Sequence, residues 1–79
     1  MNREQFLRDA EEMIAADTDS LTVETILADH AGWDSVGQLS IVSYVDEKYG
    51  VIVSVKKMRE CKTFGDLIQL VESQMEKGA

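Results

Sequence analysis

The 79-residue chain contains no proline, one cysteine and only five glycines. So few turn-forming residues favour a compact helical domain over a sheet with many tight turns. One thiol, Cys61, cannot form an internal disulfide, so we expect a protein suited to a reducing cytoplasm. The chain also lacks an apolar run of about 18 residues, the length that crosses a membrane, and it lacks any segment typical of a secretory signal.

Bases are scarce, with eight lysines and arginines against fifteen acids and a net charge of −7. This balance argues against nucleic-acid binding, which needs a basic face, and it suits docking onto basic proteins. The charge is also uneven, because residues 1–55 carry eleven acids and three bases, whereas residues 56–79 carry four acids and five bases. Four of those bases crowd one stretch, and we interpret them as a solvated face: Lys56, Lys57, Arg59 and Lys62.

Apolar periodicity predicts an all-α fold, a small four-helix bundle of three main helices and one short helix, in a single domain over residues 1–79. The main helices are expected from Asn2 to about Ala16, from about Ser35 to Tyr49, and from Thr63 onward. Capping supports these bounds: Asn2 with Gln5 as a reciprocal partner, Thr63 with Asp66, and Gly50 as a terminating glycine.

The segments between the main helices are expected to be less regular. Residues 51–55, "VIVSV", are mostly β-branched, but no second strand-like run could pair with them, so Val51 to Ser54 is predicted to be an extended connection. A short helix is expected around Val55 to Arg59 and a helical turn around Thr22 to Leu27. In the middle helix the stripe predicted to face the core is Leu39, Val42, Val45 and Tyr49.

The stretch "GWDSVGQLS" places Ser35 directly ahead of that helix. It is one residue short of the nucleophile-elbow pattern G-x-S-x-G, which also requires a strand and a histidine, and the only histidine is His30. Self-contained serine hydrolysis is therefore disfavoured. Spacing alone favours a capping box between Ser35 and Gln38, with either Asp34 or Ser35 as the capping residue.

A metal site finds no support in the sequence. Asp17 and Asp19 begin like a calcium-binding loop, but Thr22 and Ala28 occupy the positions that require glycine and glutamate. The chain has no Cys/His cluster for another metal.

Three motifs then occur in a set order, across about residues 21–72: Asp34-Ser35-Val36 at the start of one helix, Asp46-Glu47 before Tyr49-Gly50, and Thr63-Phe64-Gly65-Asp66-Leu67 at the start of the last helix. The set resembles the acyl carrier protein family, in particular stand-alone carriers of specialised biosynthetic clusters. The resemblance implies a monomeric carrier without catalytic residues of its own.

The resemblance also implies that Ser35, preceded by Asp34, receives 4′-phosphopantetheine from coenzyme A through a separate, magnesium-dependent phosphopantetheinyl transferase. The other partners it implies are acyl-loading and acyl-transferring enzymes of fatty-acid, polyketide or related biosynthesis, with acyl or aminoacyl cargo held as a thioester. A helix N-terminus suits a phosphodiester, because it offers free N–H groups and a positive dipole end. The alternative is a carrier-fold interaction module that is never modified.

Docking and cargo residues follow from the same resemblance. The docking face is expected to be exposed and comprises Val36, Gly37, Ser40, Ile41, Tyr44, Asp46 and Glu47. It is expected to be less acidic than in fatty-acid carriers, because those proteins often have acids at the positions of Gly37 and Ser40. A small acyl cavity, opening by outward movement of residues 51–62, is expected among Ile41, Val45, Val53, Met58 and Phe64. Of the remaining residues, Trp33 is predicted to anchor the core, Cys61 is predicted to be an inert thiol, and His30 is predicted to be a solvated loop residue. The four bases between residues 56 and 62 could contact a partner or the pantetheine phosphate.

Overall fold

The computed structural model describes the backbone of residues 1–78 and the side chains of residues 1–76. Within that range the chain forms four α-helices and one 3₁₀ turn, Leu27–Asp29, and no strand: α1 Arg3–Met13, α2 Ser35–Tyr49, α3 Val55–Glu60 and α4 Phe64–Gly78. The predicted all-α bundle is confirmed. The first helix ends before Ala16, however, because Ala15 adopts a left-handed conformation with φ of 57°.

Side-chain caps define most helix ends. Asn2 accepts the N–H of Gln5 at 3.0 Å, but the Gln5 amide donates to Asp9 rather than returning to Asn2, so the expected reciprocal box is absent. The box at α4 is confirmed, since the Thr63 hydroxyl accepts the N–H of Asp66 and the Asp66 carboxylate accepts that of Thr63. Gly50 ends α2 with φ of 68°, as predicted for a terminating glycine.

One hydrophobic core joins all four helices. Helix α1 and the residue after it contribute Phe6, Leu7, Ala10 and Ile14; the other helices and the connections contribute Leu21, Leu27, Ile41, Val45, Val51, Val53, Met58, Phe64, Leu67, Ile68 and Val71. Two edge-to-face aromatic contacts complete it, Phe6 with Tyr44 and Trp33 with Phe64. Half-buried Trp33 is therefore the core anchor that the sequence predicted.

The inward face of α2 agrees with the predicted stripe at three of its four residues, since Val45 is fully buried and Val42 and Tyr49 pack half-buried against the core. Leu39 is 57% exposed, and the buried positions are Gly37, Ile41 and Val45. Apolar residues are distributed around most of this helix, so their spacing alone does not determine which face meets the core.

The long connection between α1 and α2 is fixed to α1 by a buried acid. The carboxylate of Glu11, only 4% exposed, accepts the backbone N–H groups of Asp19 and Leu21, each at 3.0 Å. Arg8 donates to the Leu21 carbonyl at 2.6 Å and pairs with Asp19 at 2.7 Å. These contacts satisfy backbone groups that an irregular segment would otherwise leave without partners.

The second half of this connection lies against the start of α4. Leu27 donates to the Lys62 carbonyl, and Phe64 and Gly65 donate to the carbonyls of Thr25 and Val23, at 2.9–3.1 Å. The turn expected around Thr22 to Leu27 is present in part, since residues 23–24 form a turn in which the Thr25 N–H donates to the Thr22 carbonyl at 3.1 Å. The 3₁₀ turn follows at Leu27–Asp29, after a single bridge between Ile26 and Thr63.

The connection from α2 to α3 is extended and has no strand partner, as predicted. Val51 and Val53 face the core while Ile52 between them is 79% exposed. The short helix that follows buries Met58 and exposes its bases. No helix among residues 1–78 is long and apolar enough to span a bilayer.

Candidate functional site

The start of α2 is capped by Asp34, and not by Ser35. Asp34 has an extended backbone, and its Oδ1 accepts the N–H of Gly37 at 2.8 Å. The first main-chain bond of the helix runs from the Gln38 N–H to the Asp34 carbonyl. Ser35 is already helical, so of the two capping residues that the sequence allowed, Asp34 is confirmed and the capping box starting at Ser35 is wrong.

Ser35 is consequently left with an uncommitted hydroxyl. The residue is exposed, and no hydrogen bond within the described part of the chain uses its Oγ. His30 accepts the N–H of Gly32 on its Nδ1 at 3.1 Å and is half-buried rather than fully solvated. His30 thus stabilises a turn of its own loop. The hydroxyl of Ser35 is left exposed at the N-terminus of α2.

Two glycines hold this helix start against the end of α1. A Cβ on Gly32 would lie 1.9 Å from the Ile14 carbonyl oxygen, and a Cβ on Gly37 would lie 2.2 Å from the Gly32 carbonyl oxygen. Only residues without a side chain allow backbones to approach so closely. Gly37 is buried by this contact, so its predicted place on the exposed docking face is wrong.

A groove of about 570 Å³ runs along α2 beside Ser35. Four residues of the expected docking face line it, Val36, Ser40, Tyr44 and Glu47, together with Met13, Leu39 and Ser43. Val36 is 73% exposed. Ile41 is fully buried, because it lies on the opposite, core-facing side of α2, and the prediction that it is exposed is wrong. Steps of three and four residues from Val36 would have identified Leu39 and Ser43.

A polar cluster of Tyr44, Asp9 and Lys48 joins α1 to α2, and Tyr44 is the member of this cluster that lines the groove. The Tyr44 hydroxyl donates to Asp9, whose Oδ2 also accepts from Lys48 at 3.0 Å. The hydrogen bond from Tyr44 lowers the pKa of Asp9, while burial and the same hydrogen bond raise the pKa of Tyr44. Tyr44 therefore stays protonated and structural, while Asp46 and Glu47 beside it are exposed.

The basic residues of α3, with Lys62 just after it, lie on the other side of Ser35 from the groove. Lys56, Lys57, Arg59 and Lys62 are all exposed, and the Nε of Arg59 donates to the Gln38 side chain of α2 at 3.3 Å. Cys61 at the end of this helix is half-buried. Burial, then Asp66 and Glu60, raise the pKa of its thiol, so little reactive thiolate is present.

The residues expected to bound an acyl cavity lie behind α2. Ile41, Val45, Val53, Met58 and Phe64 are each at most 2% exposed and belong to the common core. They belong to α2, to the connection between α2 and α3, to α3 and to the start of α4, so they join these elements in one part of the core.

Known proteins resemble this chain over nearly its whole length. A family model described as a phosphopantetheine attachment site matches residues 4–71. The chain is 27% identical to the acyl carrier protein of Exiguobacterium sibiricum, over 95% of this chain and 100% of that protein. It is 27% identical to the acyl carrier protein of Tropheryma whipplei, over 90% of this chain and 92% of that one.

The fold agrees with a solved structure. The solution NMR structure of the holo acyl carrier protein from Geobacter metallireducens superposes with a TM-score of 0.76, at 21% identity, covering 96% of this chain and 87% of that one. The family match spans most of the chain and the helical arrangement is the same. The chain therefore belongs to the acyl carrier protein family, whose members carry a covalently attached 4′-phosphopantetheine.

Proposed function

We propose that Ser35 is the attachment residue and that the chain presents acyl or aminoacyl groups to partner enzymes of a fatty-acid, polyketide or related pathway. The free, exposed hydroxyl of Ser35, with the capping role taken by Asp34, is the observation that carries this proposal. The arm supplies a terminal thiol that holds cargo as a thioester. This chain contributes an accessible oxygen, a rigid helix start and a surface for partners.

The attachment step needs little from the chain itself. The Ser35 oxygen forms a bond to the phosphorus that bears pantetheine in coenzyme A, the pyrophosphate bond breaks, and adenosine 3′,5′-bisphosphate leaves. The transferase accepts the hydroxyl proton. Residues around Ser35 fit this role, since nothing in the described chain covers its hydroxyl and the free N–H groups of the first turn favour a nearby anion.

The proposal is tested by incubating the unmodified chain with coenzyme A, magnesium and a broad-specificity phosphopantetheinyl transferase. Intact mass should rise by one phosphopantetheine group, and peptide mapping should place that group on Ser35. A chain that gains no mass would instead support the unmodified interaction module.

The groove beside Ser35 is proposed as the docking surface. It is lined by apolar and small residues with a single acid, Glu47, at one end, which suits a partner that inserts an apolar side chain. This surface favours dedicated partners over enzymes that recognise a uniformly acidic helix.

Leu39→Asp should slow modification by the transferase about tenfold, because a charge in the groove opposes apolar docking, equivalent to about 1.4 kcal/mol. Leu39 is 57% exposed, so folding should be preserved. Initial rates of mass gain measure the effect. Ile52→Asp is the matched control, since Ile52 is 79% exposed and lies outside the groove. Equal rates for both variants would contradict the docking surface.

Cargo is proposed to enter the core behind α2, among Ile41, Val45 and Met58, because burial of an apolar chain gains about 25 cal/mol per Å². Methionine adapts to irregular space, and α3 is a short helix. Amide chemical shifts of bare-arm and long-chain acylated protein should differ across residues 51–62. Differences confined to Ser35 and its neighbours would place the cargo in solvent.

A further inference from the structure

The basic residues of residues 1–55 and those of residues 56–62 differ in whether they form ion pairs. The three bases of residues 1–55 all form ion pairs: Arg3 with Glu72, Arg8 with Asp19, and Lys48 with Asp9. Among the described side chains, none of the four bases between residues 56 and 62 pairs with an acid, although the chain carries fifteen acids. Like charges held together without acidic partners repel one another. An anion supplied from outside the polypeptide would relieve this repulsion.

Arg59 is the member of this group whose side chain forms a hydrogen bond to α2. Its Nε donates to Oε1 of Gln38, and Gln38 lies three residues after Ser35 on the same face of α2. Side chains on a helix lean toward its N-terminus, so Gln38 covers the turn that contains Ser35. The hydrogen bond therefore holds the guanidinium beside the first turn of α2. Its two terminal NH₂ groups make no hydrogen bond within the described chain.

A phosphodiester on Ser35 would add a negative charge next to the Asp34 carboxylate, in a chain whose net charge is already −7. Arginine suits this situation, because its planar fork of donors matches two phosphate oxygens and its charge is permanent. We propose that Arg59, positioned by Gln38, binds the phosphodiester of the prosthetic group and directs the arm toward α3 rather than along the groove. This inference rests on the proposed attachment at Ser35.

The test compares unmodified and phosphopantetheinylated protein by NMR. In the wild type, the Arg59 Nε–H resonance should shift on modification. The ³¹P resonance of the phosphodiester should differ between wild type and Arg59→Gln. Lys57→Gln is the matched control, because it removes the same charge from the same helix at an exposed residue whose side chain makes no hydrogen bond to α2. Its ³¹P resonance should match that of the wild type.

Thermal unfolding gives a second measurement. Arg59→Gln should lower the Tm of the modified form about 2 °C more than that of the unmodified form, as expected for one exposed ion pair in a domain of this size. An unmoved Arg59 resonance in protein carrying the group on Ser35 would overturn the phosphate contact and leave the attachment site intact. Equal effects of Arg59→Gln and Lys57→Gln would likewise overturn it, leaving only a general charge effect. Failure to gain mass at Ser35 would overturn both inferences.

Discussion

Ser35→Ala is expected to abolish phosphopantetheine attachment completely, since the hydroxyl oxygen is the atom that bonds to phosphorus. Folding should be unaffected, because Asp34 and not Ser35 caps α2. The free energy of unfolding should change by no more than about 0.5 kcal/mol, as for most exposed substitutions. Intact mass after incubation with coenzyme A and the transferase measures the first effect, and urea unfolding measures the second.

Ser43→Ala provides the matched control for this experiment. Ser43 is an exposed serine two turns further along α2, and it lines the docking groove without being at the helix start. The Ser43→Ala variant should be phosphopantetheinylated to completion on Ser35. An alanine variant at position 35 that still gained the phosphopantetheine mass would show that the group is attached to another residue.

Gly37→Ala is expected to lower the free energy of unfolding by about 2 kcal/mol, the balance of an overpacking cost of about 3 kcal/mol, the upper end of its usual range, and a gain in helix propensity. The new methyl group would lie 2.2 Å from the Gly32 carbonyl oxygen, which belongs to backbone and cannot rotate away. This cost outweighs the gain of about 1 kcal/mol that alanine gives over glycine inside a helix. The Tm should fall by about 10 °C, as measured by thermal unfolding monitored by circular dichroism.

Gly50→Ala is the comparison variant, because a Cβ there meets nothing within 4 Å and the substitution strains only the left-handed backbone, at about 1–2 kcal/mol. The Gly37 variant should be the less stable of the two. If Gly37→Ala were instead as stable as the wild type, the close contact between α2 and the loop at Gly32 would not exist in solution.

The sequence predicted the helices well because the information for them is local. The stripe of α4, the Thr63–Asp66 box and Gly50 each depend on residues within a few positions of one another. The extended conformation of residues 51–54 followed from the lack of any strand to pair with it. Such arguments need no knowledge of the tertiary fold.

The features that the sequence did not determine depend on contacts between distant residues. Asp34 and Ser35 are both good capping residues, and only the backbone of the folded chain decides between them. Ile41 and Leu39 are both strongly apolar, so the burial of one and exposure of the other reflect where α1 and α3 pack against α2. The contact between Arg59 and Gln38 spans 21 positions, and no local pattern indicates it.

The attachment of residues 23–27 to the start of α4 has a consequence for how this molecule opens. Three main-chain hydrogen bonds join the two segments, so the amide protons of Leu27, Phe64 and Gly65 exchange with solvent only when both segments separate. Residues of α3 make no such hydrogen bonds to the connection between α1 and α2, so α3 can unfold locally while that connection stays bound to α4. We therefore expect two cooperative units in a hydrogen-exchange experiment, a slowly exchanging one around α4 and a more rapidly exchanging one at residues 54–60, next to the Ser35 end of α2. Accommodation of a new cargo would then require disruption of only the less stable unit.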